Sequence, residues 1–141
     1  MQKIIFNIGL RLSVVVGLLF ASTLVLAHDY PDEIGQCASV NHGKLGKAQR
    51  CIIATGFGTG ASYMHLTFGQ SEAYIGNPTD CPEYEAKGCA PTVGKSHEDA
   101  NEGMYYHRDR QTGEIISGSD EGAWFCAKRK DNQLDVCYVY R

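Results

Sequence analysis

The segment WFCAKRKDNQLDVCYVY, from Trp124 to Tyr140, constrains the fold more than any other stretch of the chain. Two cysteines flank an Asp-Asn pair, between stretches rich in aromatic residues and valine, which is the pattern of a β-hairpin. A two-residue turn at Asp131-Asn132 pairs Lys130 with Gln133 and Lys128 with Asp135, and the same register sets Cys126 opposite Cys137. Facing residues on antiparallel strands have Cβ atoms close enough to bridge. A hairpin closed by Cys126–Cys137 is therefore expected, with Leu134, Val136, Tyr138 and Tyr140 on one face of its last strand.

Four more cysteines, Cys37, Cys51, Cys81 and Cys89, bring the set to an even six. In a small exported domain that count reads as disulfides, and six cysteines allow 15 pairings among which sequence alone does not choose. The sequential pairs Cys37–Cys51 and Cys81–Cys89 are the expectation after Cys126–Cys137. Each closed loop stabilises by about 2–3 kcal/mol, help that so small a core needs.

Export is read from the N-terminus. Lys3 and Arg11 flank the start of an apolar stretch, LSVVVGLLFASTLVLA from Leu12 to Ala27, and Val25 and Ala27 are small enough for a signal-peptidase site. The stretch falls short of the roughly 20 residues of a membrane span. No cysteine follows it directly, which argues against lipidation. The expectation is a signal peptide at 1–27 and a single disulfide-stapled domain at 28–141, periplasmic or secreted, with no membrane span after cleavage. Cleavage removes Lys3 and Arg11 and no acid, so the formal charge moves from −3 to −5, 11 Lys+Arg against 16 Asp+Glu. Such a surface argues against nucleic acid and anionic lipid and suits a basic partner.

Between the cysteines the signals are β. Met64, Leu66 and Phe68 alternate with Tyr63, His65 and Thr67, and Gly69–Ser71 turns the chain into EAYIG. DRQTG is a turn between Tyr105–Arg108 and Glu114–Ser117. A short helical piece is expected near Asp32–Val40, and Asn77–Gly103, with three prolines and six acids, reads as a long acidic loop pinned by Cys81–Cys89. The fold class is mainly β, a small antiparallel β-sandwich or barrel stapled by three disulfides.

The stretch CIIATGFGTGASYMHLTF, Cys51 to Phe68, holds Gly56, Gly58, Gly60 and Ala61 in the spacing of a dinucleotide fingerprint. That fingerprint requires a helix after its glycines, and here a strand pattern follows. The glycines then read as a tight turn or bulge needing positive φ. FGTGASY, Phe57 to Tyr63, also resembles the signature loop of the periplasmic and membrane-bound inhibitors of c-type lysozyme, Ser-Gly-Ser-Gly-Ala-Lys-Tyr. Gly58, Gly60, Ala61 and Tyr63 agree by position and Thr59 replaces the central serine, while Phe57 and Ser62 depart. That family's second, lysine-bearing motif has no counterpart here. The resemblance implies a partner-binding loop formed by Gly58, Thr59, Gly60, Ala61, Ser62 and Tyr63, in which small residues and a hydroxyl enter an enzyme cleft.

Other chemistry has weaker sequence support. His28 would head the cleaved chain, where its amine and imidazole can chelate copper. His97, Glu98, Asp99, Glu102, His107 and Asp109 form an acid/histidine group, making His28, His97 and His107 the alternative metal residues, although no known ligand spacing occurs. No nucleophile elbow is present, and disulfide-bonded cysteines are not nucleophiles. Ser96 beside His97, and Glu83 with Glu85, are sequence neighbours only. No catalytic residue and no cofactor is implied. YYHRDR and the terminal YVY set aromatics beside charges, a composition favoured at interfaces. The expected function is binding of another protein, in its most concrete form inhibition of a basic wall-degrading or antibacterial enzyme or toxin. A copper-binding protein and an envelope structural domain are the alternatives.

Overall fold

The computed structural model describes residues 28–58, 60–79, 89–118 and 120–141. The expected signal peptide, 1–27, lies outside them. The described residues form eleven strands and no helix: β1 (His28–Asp29), β2 (Glu33–Asn41), β3 (Lys44–Leu45), β4 (Gln49–Gly58), β5 (Ala61–Phe68), β6 (Ser71–Pro78), β7 (Thr92–Gly94), β8 (Asn101–Arg108), β9 (Ile115–Ile116), β10 (Trp124–Arg129) and β11 (Asp135–Tyr140). Eight of them, β2, β4, β5, β6, β7, β8, β10 and β11, pair antiparallel in chain order. β11 then pairs back onto β2, closing an up-and-down barrel. β1 runs along the end of β4, β3 along the end of β2 and β9 along the end of β8. Closure removes the two edges that the same strands would expose as an open sheet.

Strand alternation decides what faces inward. Ile53, Leu66 and Ala73 stand side by side across β4, β5 and β6. With Cys37, Cys51, Ile75, Val93, Ala127 and Val136 they form one fully buried cluster in the lumen. An eight-stranded barrel is just wide enough for side chains to fill. Gly103 is needed for that fit, because a Cβ there would stand 2.6 Å from Val93 Cγ2 and 2.7 Å from the Lys128 carbonyl oxygen. Outward positions carry Arg50, His65, Glu72, Glu102 and Lys128. This arrangement, apolar inside and charged outside, is the reverse of a barrel that faces lipid.

A second, smaller core lies outside the wall. Ala38, Val40, Trp124, Cys126, Cys137 and Val139 are buried there, with Leu45 and Tyr106 partly covered. The buried Arg108 guanidinium ties loops over it, donating to the carbonyls of Gly113 at 2.7 Å and Gly43 at 3.1 Å. Arg110 sits over the Trp124 ring at 4.5 Å. This outer core corrects the expected helical piece at Asp32–Val40, which is strand β2. Cys37 faces the lumen while Ala38 and Val40 face the outer core, so both sides are buried and the period-two signal is lost.

Two disulfides are described rather than the three expected. Cys37–Cys51 joins β2 to β4 inside the lumen, with Cα atoms 5.7 Å apart. Cys126–Cys137 joins β10 to β11 at directly opposed positions, 4.0 Å apart, in the outer core. The expected Cys81–Cys89 bond lies outside the described residues, since Cys81 does. No described cysteine is free. Disulfides of this kind place the chain in an oxidising compartment. The expected long loop, Asn77–Gly103, is also shorter than the sequence implied. β6 runs to Pro78, β7 takes Thr92–Gly94 and β8 starts at Asn101. Val93 is the only large apolar residue of β7, too little for a periodic pattern.

Candidate functional site

The β4–β5 connection is a tight hairpin at one end of the barrel. Gly58 pairs with Ala61, leaving a two-residue turn of which Thr59 lies outside the described residues. Gly60 has φ +77°, a conformation open to glycine at little cost. Its carbonyl accepts the Thr79 amide at 2.9 Å, which fixes the tip against the end of β6. Of the three glycines only Gly60 serves the turn with positive φ; Gly56 and Gly58 are strand residues of β4, paired with Tyr63 and Ala61.

Side chains then diverge from the hairpin by alternation. Ser62 shares the inward register with Phe57 and Asn77, whereas Tyr63 faces outward. The Tyr63 hydroxyl donates to the Asp29 carboxylate, and this hydrogen bond to an anion holds the phenol above its usual pKa. Its ring stacks near-parallel on Tyr74 at 6.2 Å, and His97 meets Tyr74 edge-on at 5.3 Å. With Gly58 and Ala61 these rings line an open depression of about 370 Å³ on the outer wall.

At the same end, the inward positions of β8, β10 and β11 bring aromatics to the mouth of the lumen. Tyr105, His107, Phe125 and Tyr138 line a cavity of about 240 Å³. His107 meets Phe125 at 5.0 Å, Phe125 stacks on Tyr138 at 6.0 Å, and Tyr138 meets Tyr140 edge-on at 6.0 Å. The Tyr105 hydroxyl donates to the Asn77 side chain of β6 across the mouth. Burial raises the pKa values of Tyr105 and Tyr138, and burial together with the nearby Glu33 carboxylate raises that of Tyr140. These phenols stay neutral through the physiological range. Yet Tyr105, Phe125 and Tyr140 remain 40–44% exposed, and the adjacent Phe57 and Tyr30, 5.9 Å apart, are 44% and 50% exposed. Inward-facing rings with this much exposure are accessible from the open end.

The opposite end is closed by polar contacts. Arg129, 7% exposed, donates to Asp131 at 2.9 Å, to the Asp99 carbonyl at 3.0 Å and to Gln133 at 2.9 Å. Its guanidinium lies 3.1 Å from the Asp99 carboxylate. The Lys95 amide and then Arg129 hold the Asp99 carboxyl below its usual pKa, and Arg129 does the same for Asp131. On the outer wall Tyr106 donates to Asp135 at 2.5 Å. Burial, helped by that carboxylate, pushes Tyr106 up to about 12.

The acid/histidine group of the sequence is dispersed by this fold. His97 packs on the outer wall and His107 in the mouth, Glu102 pairs with Lys130, and Asp109 accepts the amides of its own turn. Residues 102 and 107 are five apart on one strand and so face opposite sides of the wall. No group of three metal-capable side chains occurs among the described residues; the His28 side chain is not among those described. Ser96 accepts the Asp99 amide at 3.4 Å while His97 packs on Tyr74, so the structure brings no Ser96–His97 pair together. Glu83 and Glu85 lie outside the described residues. The aromatic mouth was beyond sequence reasoning as a site. Its signal was the aromatics of YYHRDR, WFC and YVY at alternate positions, but only barrel closure makes them converge. Compared with known proteins, the chain matches no family model, no curated protein and no solved structure.

Proposed function

We propose that this chain is a periplasmic or secreted protein-binding domain of the inhibitor or immunity type, directed at a basic wall-degrading or antibacterial enzyme. The observation that carries this reading is the gathering of binding features at one end of the barrel. The glycine hairpin projects there beside the exposed rings of Tyr30, Phe57, Tyr105, Phe125 and Tyr140. Tyrosine and phenylalanine are enriched at interfaces because they bury much area for little side-chain entropy. A formal charge of −5 after loss of residues 1–27 favours encounter with a basic protein. The resemblance of Phe57–Tyr63 to the lysozyme-inhibitor loop gives the reading its most concrete form, with Gly58, Thr59, Gly60, Ala61, Ser62 and Tyr63 at the contact.

The test is a panel of basic lysozymes and peptidoglycan hydrolases assayed for residual activity with the mature chain present. At least one is expected to lose activity and to co-elute with the chain on gel filtration. Full activity and no complex across the panel would overturn the proposal.

A further inference from the structure

The two arginine–ring contacts among the described residues lie on the outer wall, Arg108 over Tyr106 at 5.2 Å and Arg110 over Trp124 at 4.5 Å. The rings of the mouth, Tyr105, Phe125, Tyr138 and Tyr140, have no lysine or arginine over them among the described residues, although Arg141 follows Tyr140 in the chain. Their ionisable neighbours are His107, 5.0 Å from Phe125 in the same lining, and one carboxylate. Glu33 pairs with Ile53 in the inward register at the start of β2, two positions along the same face from Gly35, which is the partner of Tyr140 on β11. The cavity of about 240 Å³ is lined by Tyr105, Tyr106, His107, Phe125, Cys126 and Tyr138, and Tyr140 extends this wall 6.0 Å from Tyr138, on the side where Glu33 stands; the tyrosine and phenylalanine faces carry the negative part of the ring quadrupole. The ring faces and Glu33 both disfavour an anion. A neutral apolar group would satisfy the rings but gain nothing from Glu33. A cation with diffuse charge gains from both, and more so as the apolar walls displace its water.

We infer that the mouth of the barrel is a cation-binding cup that takes a guanidinium or ammonium side chain of a basic partner protein, through cation–π contact with Tyr105, Phe125, Tyr138 and Tyr140 and attraction to Glu33. This inference rests on the protein-binding reading, and names what such a partner inserts. The cup is separate from the outer depression lined by Gly58, Ala61, Tyr63, Tyr74 and His97, which lies on the other side of the wall.

The experiment uses the mature, disulfide-bonded chain and follows its aromatic NMR signals during titration with N-acetyl-arginine methylamide. N-acetyl-citrulline methylamide, of nearly the same shape and no charge, is the control. The signals of Phe125 and Tyr138 are expected to move saturably with the arginine compound, and the citrulline compound to bind roughly fivefold or more weakly. Glu33→Gln, at an exposed rim position, should weaken the arginine compound while leaving the citrulline compound unchanged. Phe125→Leu should weaken the arginine compound as well, with the amide spectrum reporting that the fold is kept. Equal response to both compounds, no response, or shifts confined to Tyr63 and Tyr74 would overturn the cup. A chain that inhibits an enzyme of the panel while its mouth ignores the arginine compound loses this inference alone. A cup that binds the arginine compound while no basic enzyme is bound overturns the protein source.

Discussion

Gly60 is the residue on which the hairpin tip depends most directly. Its φ of +77° costs a residue with a Cβ about 1 kcal/mol or more. Gly60→Ala should lower unfolding stability by about that amount in urea titration, and should weaken partner binding further if the tip is at the contact. Ile53 shows what the lumen contributes. It is fully buried between Glu33 and Leu66 in the register, and Ile53→Ala is expected to cost about 2–5 kcal/mol, read from the same titration. Much at this scale was legible in the sequence. The opposition of Cys126 and Cys137 follows from counting outward from Asp131-Asn132, and the structure has that register. The inward set Met64, Leu66 and Phe68 follows from alternation. The orientation of Tyr63 toward Asp29 did not follow, because β1 meets β4 only through long-range pairing.

Among the elements, the β10–β11 hairpin carries the most connected set of contacts. It holds the outer-core disulfide, presents Phe125, Tyr138 and Tyr140 to the mouth, and ends at the Arg129–Asp131 turn. Replacing both Cys126 and Cys137 by alanine should cost about 2–4 kcal/mol, and calorimetry should record a single, lower transition. The turn also predicts acid sensitivity. The carboxyls of Asp99 and Asp131 are held below their unfolded values, so the folded state binds fewer protons than the unfolded one in that range. Their contribution is complete above the unfolded carboxylate range, about pH 4, and is lost as pH falls through the depressed folded values. Arg129→Met should flatten this acid limb of a stability–pH curve; an unchanged slope would show that the pairing does not operate in solution. Asp135, raised by burial, acts in the opposite sense, retaining protons in the folded state. Strand β2 shows why some elements were illegible. A strand buried on both faces shows no alternation, and Gly35, Ala38 and Ser39 carry no strong β preference of their own.

For the molecule as a whole, the fold separates a closed end from an open one. The polar set around Arg129 seals one, while the hairpin and the aromatic mouth share the other. That division was out of reach of sequence reasoning, because it requires β11 to find β2 across the full length of the domain. Aromatics read as separate local features, YYHRDR, WFC and YVY, become one surface only when the sheet closes. Net charge contributes a prediction of its own. Association of an acidic chain with a basic enzyme should slow as salt rises, with the dissociation rate much less affected, as stopped-flow traces at several ionic strengths will show.

On the proposed function, the open end of the barrel is the end that binds the enzyme. The most direct test of this is the residual activity of an inhibited enzyme against two variants of the mature chain. Phe57→Asp alters the open end, and Lys44→Glu alters the outer loop region near the closed end. Phe57→Asp is expected to weaken inhibition by roughly 30-fold or more, as for an interface hot spot, and Lys44→Glu to leave it unchanged. Inhibition indifferent to Phe57→Asp but lost with Lys44→Glu would place binding at the other end of the barrel.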